Sequence, residues 1–270
     1  MVGNWKLIGS DGRMNDITGA GLFGLETSKS KMVPHSPSFQ YEGHVLRRGQ
    51  EVCMKYFVPD THFEEMPYCC PTMLLLGTSM SSGKTTAGRQ VIHLLKELGA
   101  ERIVATKLSG AGFYHDILSF RDAGADLVYD FVDAGLPSSI ISQEEYRSSM
   151  RNLLSIISAQ KPSIVVAEAG ALPFESYNGF IALQELYKGV NFIVMCASDP
   201  YAVVAMTKDF GIRPNVVSGI VTSHSASIDL VQKLSGIPAL SLCDEESLQE
   251  LAQHLRLNFD LPEMCYLTIP

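Results

Sequence analysis

Short apolar runs that alternate with helical stretches dominate the chain from residue 73 onward. The runs are continuously apolar, as expected for strands that are buried on both faces of a sheet. They cover residues 73–76, 102–106, 163–167, 192–197, 216–221 and 239–242. Strands and helices that alternate in this way form a parallel sheet with helices on both faces. We therefore predict an α/β fold with a mostly parallel sheet of about six or seven strands.

The segments between these runs carry the apolar spacing and the end signals of helices. The apolar stripe of residues 87–98 is closed by Gly99. Ser142 and Glu145 form a capping box ahead of a helix at residues 146–160. Further helices are predicted at residues 177–188, 201–210, 226–234 and 244–255.

The first part of the chain lacks this alternation, and its best strand candidate is residues 52–58. We predict a small N-terminal segment that contains β-structure, residues 1–71, followed by the α/β domain, residues 72–270.

Charge and composition exclude several classes of function. The 270 residues carry a formal net charge of −8, whereas binding to nucleic acid or to an anionic membrane requires a basic surface. No apolar run is long enough to span a bilayer, and the N-terminus lacks the apolar stretch of a signal peptide. The six cysteines show no C-x-x-C spacing, which argues against a zinc site. We expect a cytoplasmic protein that binds neither nucleic acid nor membrane.

A glycine-rich loop follows the first predicted strand and leads into a predicted helix. It consists of Gly77, Thr78, Ser79, Met80, Ser81, Ser82, Gly83, Lys84, Thr85 and Thr86. The N–H groups of such a loop and the N-terminus of the following helix bind the phosphates of a nucleotide. Lys84 is expected to reach the β- and γ-phosphates, Thr85 to place its hydroxyl on Mg²⁺, and Thr86 to lie near the α-phosphate. A serine-rich turn that only caps the helix is the structural alternative.

Other polar residues follow the remaining strands, at the edge of the sheet where α/β proteins bind ligands. Lys107 and Ser109 follow the second strand, although a surface lysine is the alternative interpretation of Lys107. Glu168 directly follows a buried strand, where an unpaired carboxylate is costly, so a lysine or a cation should face it. Asp133 and Asp199 follow apolar runs and are candidate substrate contacts.

The loop resembles that of dethiobiotin synthetase and of the related metal-cluster and cobyrinate-type ATPases. Five residues separate Gly77 from Gly83, and the usual form in that family is Gly-Thr-x-x-x-x-Gly-Lys-Thr. The resemblance extends over about residues 73–256.

This resemblance implies roles for residues outside the loop. Lys107 and Ser109 would face the phosphates, and Asp116 and Glu168 would help to hold the metal ion. Capping of the following helix is the alternative role of Asp116. Thr222 and Ser223 lie where the family has the strand end that contacts the nucleotide base.

A second resemblance is to a family of P-loop proteins that includes D-glutamate N-acetyltransferases. Residues 84–87, 130–135 and 197–200 are similar to that family. It implies an acyltransferase in which the loop binds a phosphate of coenzyme A.

Three functions therefore remain open. The first is an ATP- and Mg²⁺-dependent enzyme that phosphorylates or ligates a small molecule, with Lys84, Lys107 and Glu168 as catalytic residues. The second is the acyltransferase that uses coenzyme A, and the third is a regulatory switch that hydrolyses ATP. Switches of this superfamily often carry an extra lysine early in the loop, where this chain has Thr78 or Ser79. We favour the first function, with ATP and Mg²⁺ as cofactors, a small-molecule substrate and a homodimeric assembly.

Overall fold

The computed structural model describes residues 2–262 except 33, 35, 60–66 and 172–175. Six short strands lie in its N-terminal part: β1 (Val2–Asn4), β2 (Arg13–Thr18), β3 (Leu22–Ser28), β4 (Ser38–Gln40), β5 (Leu46–Arg47) and β6 (Gln50–Glu51). The first four form an antiparallel sheet in the order β1-β3-β2-β4, and β5 pairs with β6. The prediction of an N-terminal segment that contains β-structure is confirmed.

A second, larger sheet has six parallel strands, as predicted. They are β7 (Thr72–Gly77), β8 (Ile103–Lys107), β9 (Leu127–Asp130), β10 (Ile164–Ala171), β11 (Val190–Cys196) and β12 (Val216–Ser218). Their order is β12-β11-β7-β10-β8-β9, and every neighbouring pair is parallel. Because β7 has neighbours on both sides, the glycine-rich loop that follows it lies in the middle of the sheet edge.

Seven helices are described: α1 (Lys84–Glu97), α2 (Tyr114–Asp122), α3 (Gln143–Ala159), α4 (Gly179–Leu186), α5 (Pro200–Lys208), α6 (Ser225–Ser235) and α7 (Glu245–Asn258). Successive residues of β7 point to opposite faces, so that Met73 and Leu75 pack with α1, α2 and α7. Leu74 and Leu76 pack with α3 and α4 on the other face. The same face carries α5 and α6 against β11 and β12. Helices therefore cover both faces, and none in the described part is long and apolar enough to cross a membrane.

The structure differs from the predicted elements at three places. Residues 239–242 form a single parallel bridge from Ala239 to Val217, since β12 is only three residues long and offers few partners. β9 has no counterpart among the predicted runs. The prediction of a strand at 52–58 is wrong, because Met54–Phe57 form a 3-10 helix in which Tyr56 N–H donates to the Cys53 carbonyl.

The N-terminal part packs on one side of the parallel sheet. The 3-10 helix Met54–Phe57 and Val58 lie against the turn at Gly135, where an added Cβ would be 2.9 Å from Val58 Cγ2. The β2–β3 turn approaches the start of α2, since a Cβ at Gly19 would be 3.3 Å from Phe113 Cε1. Both contacts involve loops that follow β8 and β9.

Candidate functional site

The glycine-rich loop connects the buried strand β7 directly to α1. Gly83 is the N-cap of α1 and has φ = 101°, a left-handed conformation that favours glycine. Ser81 also has positive φ, at 61°. These two conformations turn the chain back over the end of β7, so that Lys84 Nζ donates a 3.0 Å hydrogen bond to the Ser79 carbonyl. The lysine is buried by the loop that it spans.

Polar side-chain atoms of the loop lie close to Gly77. A Cβ at this position would lie 2.5 Å from Lys84 Nζ and 2.8 Å from Ser82 Oγ. Ser82 is fully buried, and its hydroxyl has no hydrogen-bond partner among the described residues. A buried hydroxyl without a partner is unusual in a folded protein and is explained by a ligand that supplies one. The ammonium of Lys84 and this hydroxyl therefore converge on one point above Gly77, where a phosphate oxygen would bind both.

Two distant segments hold the loop in place. Thr78 N–H donates to the Cys196 carbonyl at 3.0 Å, and Thr78 Oγ1 accepts from Ser198 N–H at 3.1 Å. Just after β12, Ile220 N–H donates to the Ser82 carbonyl at 3.2 Å. Gly219 is pressed so closely against the loop that a Cβ there would lie 2.2 Å from the Ser82 carbonyl oxygen.

Three buried ionisable residues form a row across the edge of the sheet. The strand register places Glu168 of β10 directly opposite Lys107 of β8, and Lys107 directly opposite Asp130 of β9. Residues directly opposite each other in neighbouring strands point to the same face, which here is the face of α1 and α2. The lysine is therefore flanked by a carboxylate on each side.

Burial dominates the electrostatics of this row. It raises the pKa of Glu168, although the nearby Lys84 and Lys107 ammonium groups act in the opposite direction. Burial also raises the pKa of Asp130 to about 6, and the neighbouring Asp133 adds to this effect. Asp130 Oδ1 accepts from Val132 N–H at 2.8 Å.

The residues around Glu168 suit a magnesium ion. Thr85 Oγ1 donates to Glu168 Oε2 at 3.3 Å, so the two predicted metal ligands lie side by side at the start of α1. No cluster of three or more acidic, histidine or cysteine side chains that could hold a metal occurs in the described part of the chain. Mg²⁺ is commonly bound by one or two carboxylates together with waters and the phosphates of a substrate. A hydroxyl and a carboxylate beside a phosphate loop are sufficient donors for it.

Asp116, the third predicted metal ligand, is engaged by a lysine. It lies in the first turn of α2, and its Oδ2 forms an ion pair with Lys107 Nζ. Its other oxygen contacts His115 Nε2 at 3.0 Å. Asp116 does not cap its helix through its side chain, because the N-cap position is Phe113. The structure thus pairs Asp116 with Lys107, close enough to Glu168 to add to the rise that burial causes in the pKa of that carboxyl, and the role of Asp116 as a metal ligand stays a prediction.

The remaining predicted residues lie around this centre with local partners of their own. Ser109 Oγ accepts from Gly170 N–H at 2.7 Å, just beyond Glu168 on β10. Asp133 is exposed, and its Oδ2 accepts from Asp130 N–H at 2.8 Å. Asp199 caps α5 by accepting from two N–H groups of the first turn. Its assignment as a substrate contact stays a prediction.

Thr222 and Ser223 lie on the opposite side of β7 from the charged row. Thr222 Oγ1 donates to the Gly219 carbonyl at 2.8 Å, and Ser223 Oγ donates to the Ile220 carbonyl at 2.7 Å. Both hydroxyls therefore close the local 3-10 turn Ile220–Thr222. Their contact with a nucleotide base stays a prediction. Within the loop, Met80 and Thr86 are exposed.

Two residues of the site were missed by the sequence-based prediction. Asp130 ends β9, a strand of only four residues that was too short to stand out, although the position of Asp130 directly after the short apolar run Leu127–Tyr129 was a usable signal. Gly219 carries no local signal, because the feature that requires glycine is the close approach of Ser82, more than a hundred residues earlier in the chain.

The chain is similar to several solved structures. It has 11% sequence identity and a TM-score of 0.45 with the hydrogenase maturation factor HypB from Archaeoglobus fulgidus, over 69% of this chain and 89% of that chain. HypB from Helicobacter pylori in complex with nickel has 14% identity and a TM-score of 0.42, over 73% and 92%. The signal recognition particle 54 kDa protein from Aeropyrum pernix K1 in complex with GDP has 15% identity and a TM-score of 0.44, over 75% and 54%. No protein-family model and no curated protein matches the sequence.

The class of the protein follows from its strand order and loop geometry. A buried parallel strand that leads through a glycine-rich loop with a glycine–lysine–threonine end into a helix defines the P-loop NTPase fold. The chain therefore has a P-loop NTPase-like α/β fold.

Replacement of Gly219 tests the contact between β12 and the loop. In Gly219→Ala, the new methyl group collides with the Ser82 carbonyl, and the backbone at φ = 93° is strained for alanine. We expect the affinity for Mg·ATP to fall by about tenfold or more, a loss of about 1.4 kcal/mol, as measured by isothermal titration calorimetry. Gly236→Ala is the matched control, since it has φ = 69° but nothing within 4 Å of an added Cβ. Equal affinities of the two variants would contradict the proposed contact.

Replacement of Asp130 tests the cost of its buried charge. Because the pKa of Asp130 is raised to about 6, the folded state binds its proton more tightly than the unfolded state. Ionisation therefore lowers stability progressively as pH rises from about 4 to 6. In urea unfolding, Asp130→Asn should match the wild type near pH 4 and exceed it by about 1 to 3 kcal/mol at pH 8. Asp122→Asn, at an exposed position, should show no such pH dependence. A stability difference that is the same at both pH values would refute the prediction.

Proposed function

We propose that this protein binds Mg·ATP in its glycine-rich loop and transfers the γ-phosphoryl group to a small-molecule acceptor. The observation that carries the proposal is the position of Glu168. This buried carboxylate receives the Thr85 hydroxyl at 3.3 Å, lies beside the loop lysine Lys84, and is directly opposite Lys107. Lys84 alone is enough to hold a diphosphate. A second lysine nearby, Lys107, is suited to bind the terminal phosphate and to stabilise its transfer.

The two sides of the sheet edge differ in their polar groups, and this difference supports a placement of the nucleoside on one side and of the acceptor on the other. On the side of β11 and β12, the hydroxyls of Thr222 and Ser223 close local turns, and the Asp199 carboxylate caps α5. On the side of β10, β8 and β9, which we call the charged side, buried hydroxyls are accompanied by three buried ionisable side chains, those of Lys107, Asp130 and Glu168. In this proposal the nucleoside would lie toward β11 and β12, and the γ-phosphate and the acceptor toward the charged side.

Each residue of the charged side has a definite task in this proposal. Lys84 and the loop N–H groups bind the phosphate chain, and Lys107 faces the charge that develops on the transferred group. Glu168 holds the Thr85 hydroxyl in position and orients the metal or the attacking group. Mg²⁺, when bound between Thr85 and Glu168, would neutralise phosphate charge. The structure supplies positioning and electrostatics, which are the main requirements of phosphoryl transfer.

The acceptor space is bounded by the N-terminal part of the chain. Its β2–β3 turn reaches Phe113, at the start of the helix that carries Asp116, and Val58 reaches Gly135, just after Asp133. These are the loops of the charged side. We therefore assign the β2–β3 turn and Val58 to the wall of the acceptor pocket.

The binding of Mg·ATP is the first test. Wild-type protein should bind Mg·ATP in calorimetry, and Lys84→Ala should lose measurable binding while its melting temperature stays near the wild-type value, because the ammonium faces the loop and not the apolar core. GTP and acetyl-CoA are titrated in parallel. If GTP binds more tightly than ATP, GTP replaces ATP as the proposed nucleotide. If acetyl-CoA binds more tightly than ATP and EDTA does not alter its affinity, the acyltransferase alternative replaces the proposal.

Replacement of Glu168 tests the chemistry separately from binding. Glu168→Gln keeps the shape of the side chain and an oxygen for Thr85 but removes the charge. We expect the release of phosphate from ATP, with water as acceptor, to fall by about a hundredfold at saturating Mg²⁺, and the affinity for Mg·ATP to change much less. Glu144→Gln, exposed on α3, is the control. Turnover near the wild-type rate would make Glu168 a structural residue.

A further inference from the structure

The ion pair between Lys107 and Asp116 occupies the place where the proposed ligand would bind. Lys107 is buried at the end of β8, and Asp116 covers it from the first turn of α2, with side-chain exposures of 9% and 15%. Lys107 Nζ also donates to the Ala111 carbonyl at 3.3 Å. In this state the lysine is satisfied by groups of the protein itself.

The charges around Lys107 oppose the approach of a free polyphosphate. Three carboxylates surround or adjoin it: Glu168 and Asp130 by strand register and Asp116 by direct contact. Against these stand two ammonium groups, Lys107 and the nearby Lys84. A triphosphate without a metal ion would therefore meet carboxylates beside Lys107, and both lysines are already engaged by groups of the protein.

We propose that Asp116 is an exchangeable counter-ion of Lys107, and that it makes triphosphate binding dependent on Mg²⁺; this inference rests on the proposed function. Asp116 pairs with Lys107, holds it in place and neutralises it. When Mg·ATP binds, the terminal phosphate takes over the lysine, and the carboxylate turns toward the metal. Without the metal, the displaced carboxylate would remain beside the phosphate as an uncompensated negative charge, which penalises binding.

This role differs from that of a simple metal ligand in how the removal of Asp116 changes the affinity for metal-free ATP. If Asp116 only ligated Mg²⁺, its removal would weaken the binding of Mg·ATP and leave the metal-free nucleotide unaffected. If it competes with phosphate for Lys107, its removal should strengthen the binding of metal-free ATP. Inorganic tripolyphosphate should show the same gain, because the competition concerns the phosphate chain alone.

The experiment compares wild type and Asp116→Asn by calorimetry, with ATP and with inorganic tripolyphosphate, each in Mg²⁺ and in EDTA. For Asp116→Asn in EDTA we expect affinity to rise by about tenfold for both ligands, an effect typical of one nearby charge. The ratio of affinities with and without Mg²⁺ should shrink accordingly. Asp122→Asn, on the same helix but exposed, should behave as the wild type.

A double variant separates this mechanism from a general change in the fold. In a Lys107→Gln background, Asp116→Asn should not raise the affinity for metal-free ATP or tripolyphosphate, because the lysine for which the carboxylate and the phosphate compete is absent. The inference alone is overturned if the wild type binds Mg·ATP and Asp116→Asn weakens or leaves unchanged the metal-free affinity. It is also overturned if the gain persists without Lys107. If the wild type binds neither ligand in either condition, the proposed function fails and this inference fails with it.

Discussion

Glu168, Lys107 and Asp130 are aligned across three neighbouring strands and buried together, and the charged centre of the candidate site depends on this alignment. Each buried ion costs several kcal/mol of solvation unless other charges and hydrogen bonds compensate it. The compensation here comes from register: a shift of β8 by one residue would turn Lys107 to the opposite face, among the apolar side chains packed on α3 and α4. The apolar core and the charged centre therefore require the same strand alignment, so the packing of the core fixes the geometry of the charged centre.

Three polar groups of the site are paired with partners within the protein. Lys84 bonds to the Ser79 carbonyl, Lys107 pairs with Asp116, and the Thr85 hydroxyl rests on Glu168. Ligand binding would therefore be an exchange of partners in which each cation leaves one oxygen for another. Such an exchange gains less free energy than filling an open site, but it favours ligands that replace all three contacts at once. A Mg²⁺-bound triphosphate has the charges and the length to do so.

The sequence predicted the sheet and the loop because both depend on local patterns. Continuous apolar runs identified five of the six strands, and the glycine–lysine–threonine spacing located the phosphate loop. It did not reveal Asp130 as a neighbour of Lys107, because this relation depends on strand order, which brings together residues that are far apart in the chain. The 3-10 helix at Met54–Phe57 was missed for a different reason: its exposed apolar residues have a spacing that resembles a strand, and a turn hydrogen bond decides the outcome.

The contact between Gly219 and Ser82 has a consequence for how the protein matures. The loop is encoded before residue 90, yet its N–H, hydroxyl and carbonyl groups are held by Cys196, Ser198 and Ile220. During synthesis, the chain therefore carries a glycine-rich loop that lacks these supports until β11 and β12 have emerged and docked. A nucleotide that binds as proposed would not stabilise the early, partly folded chain through this loop. Ligand binding would instead mark the completion of the fold, and a chain interrupted before β12 would remain without that protection.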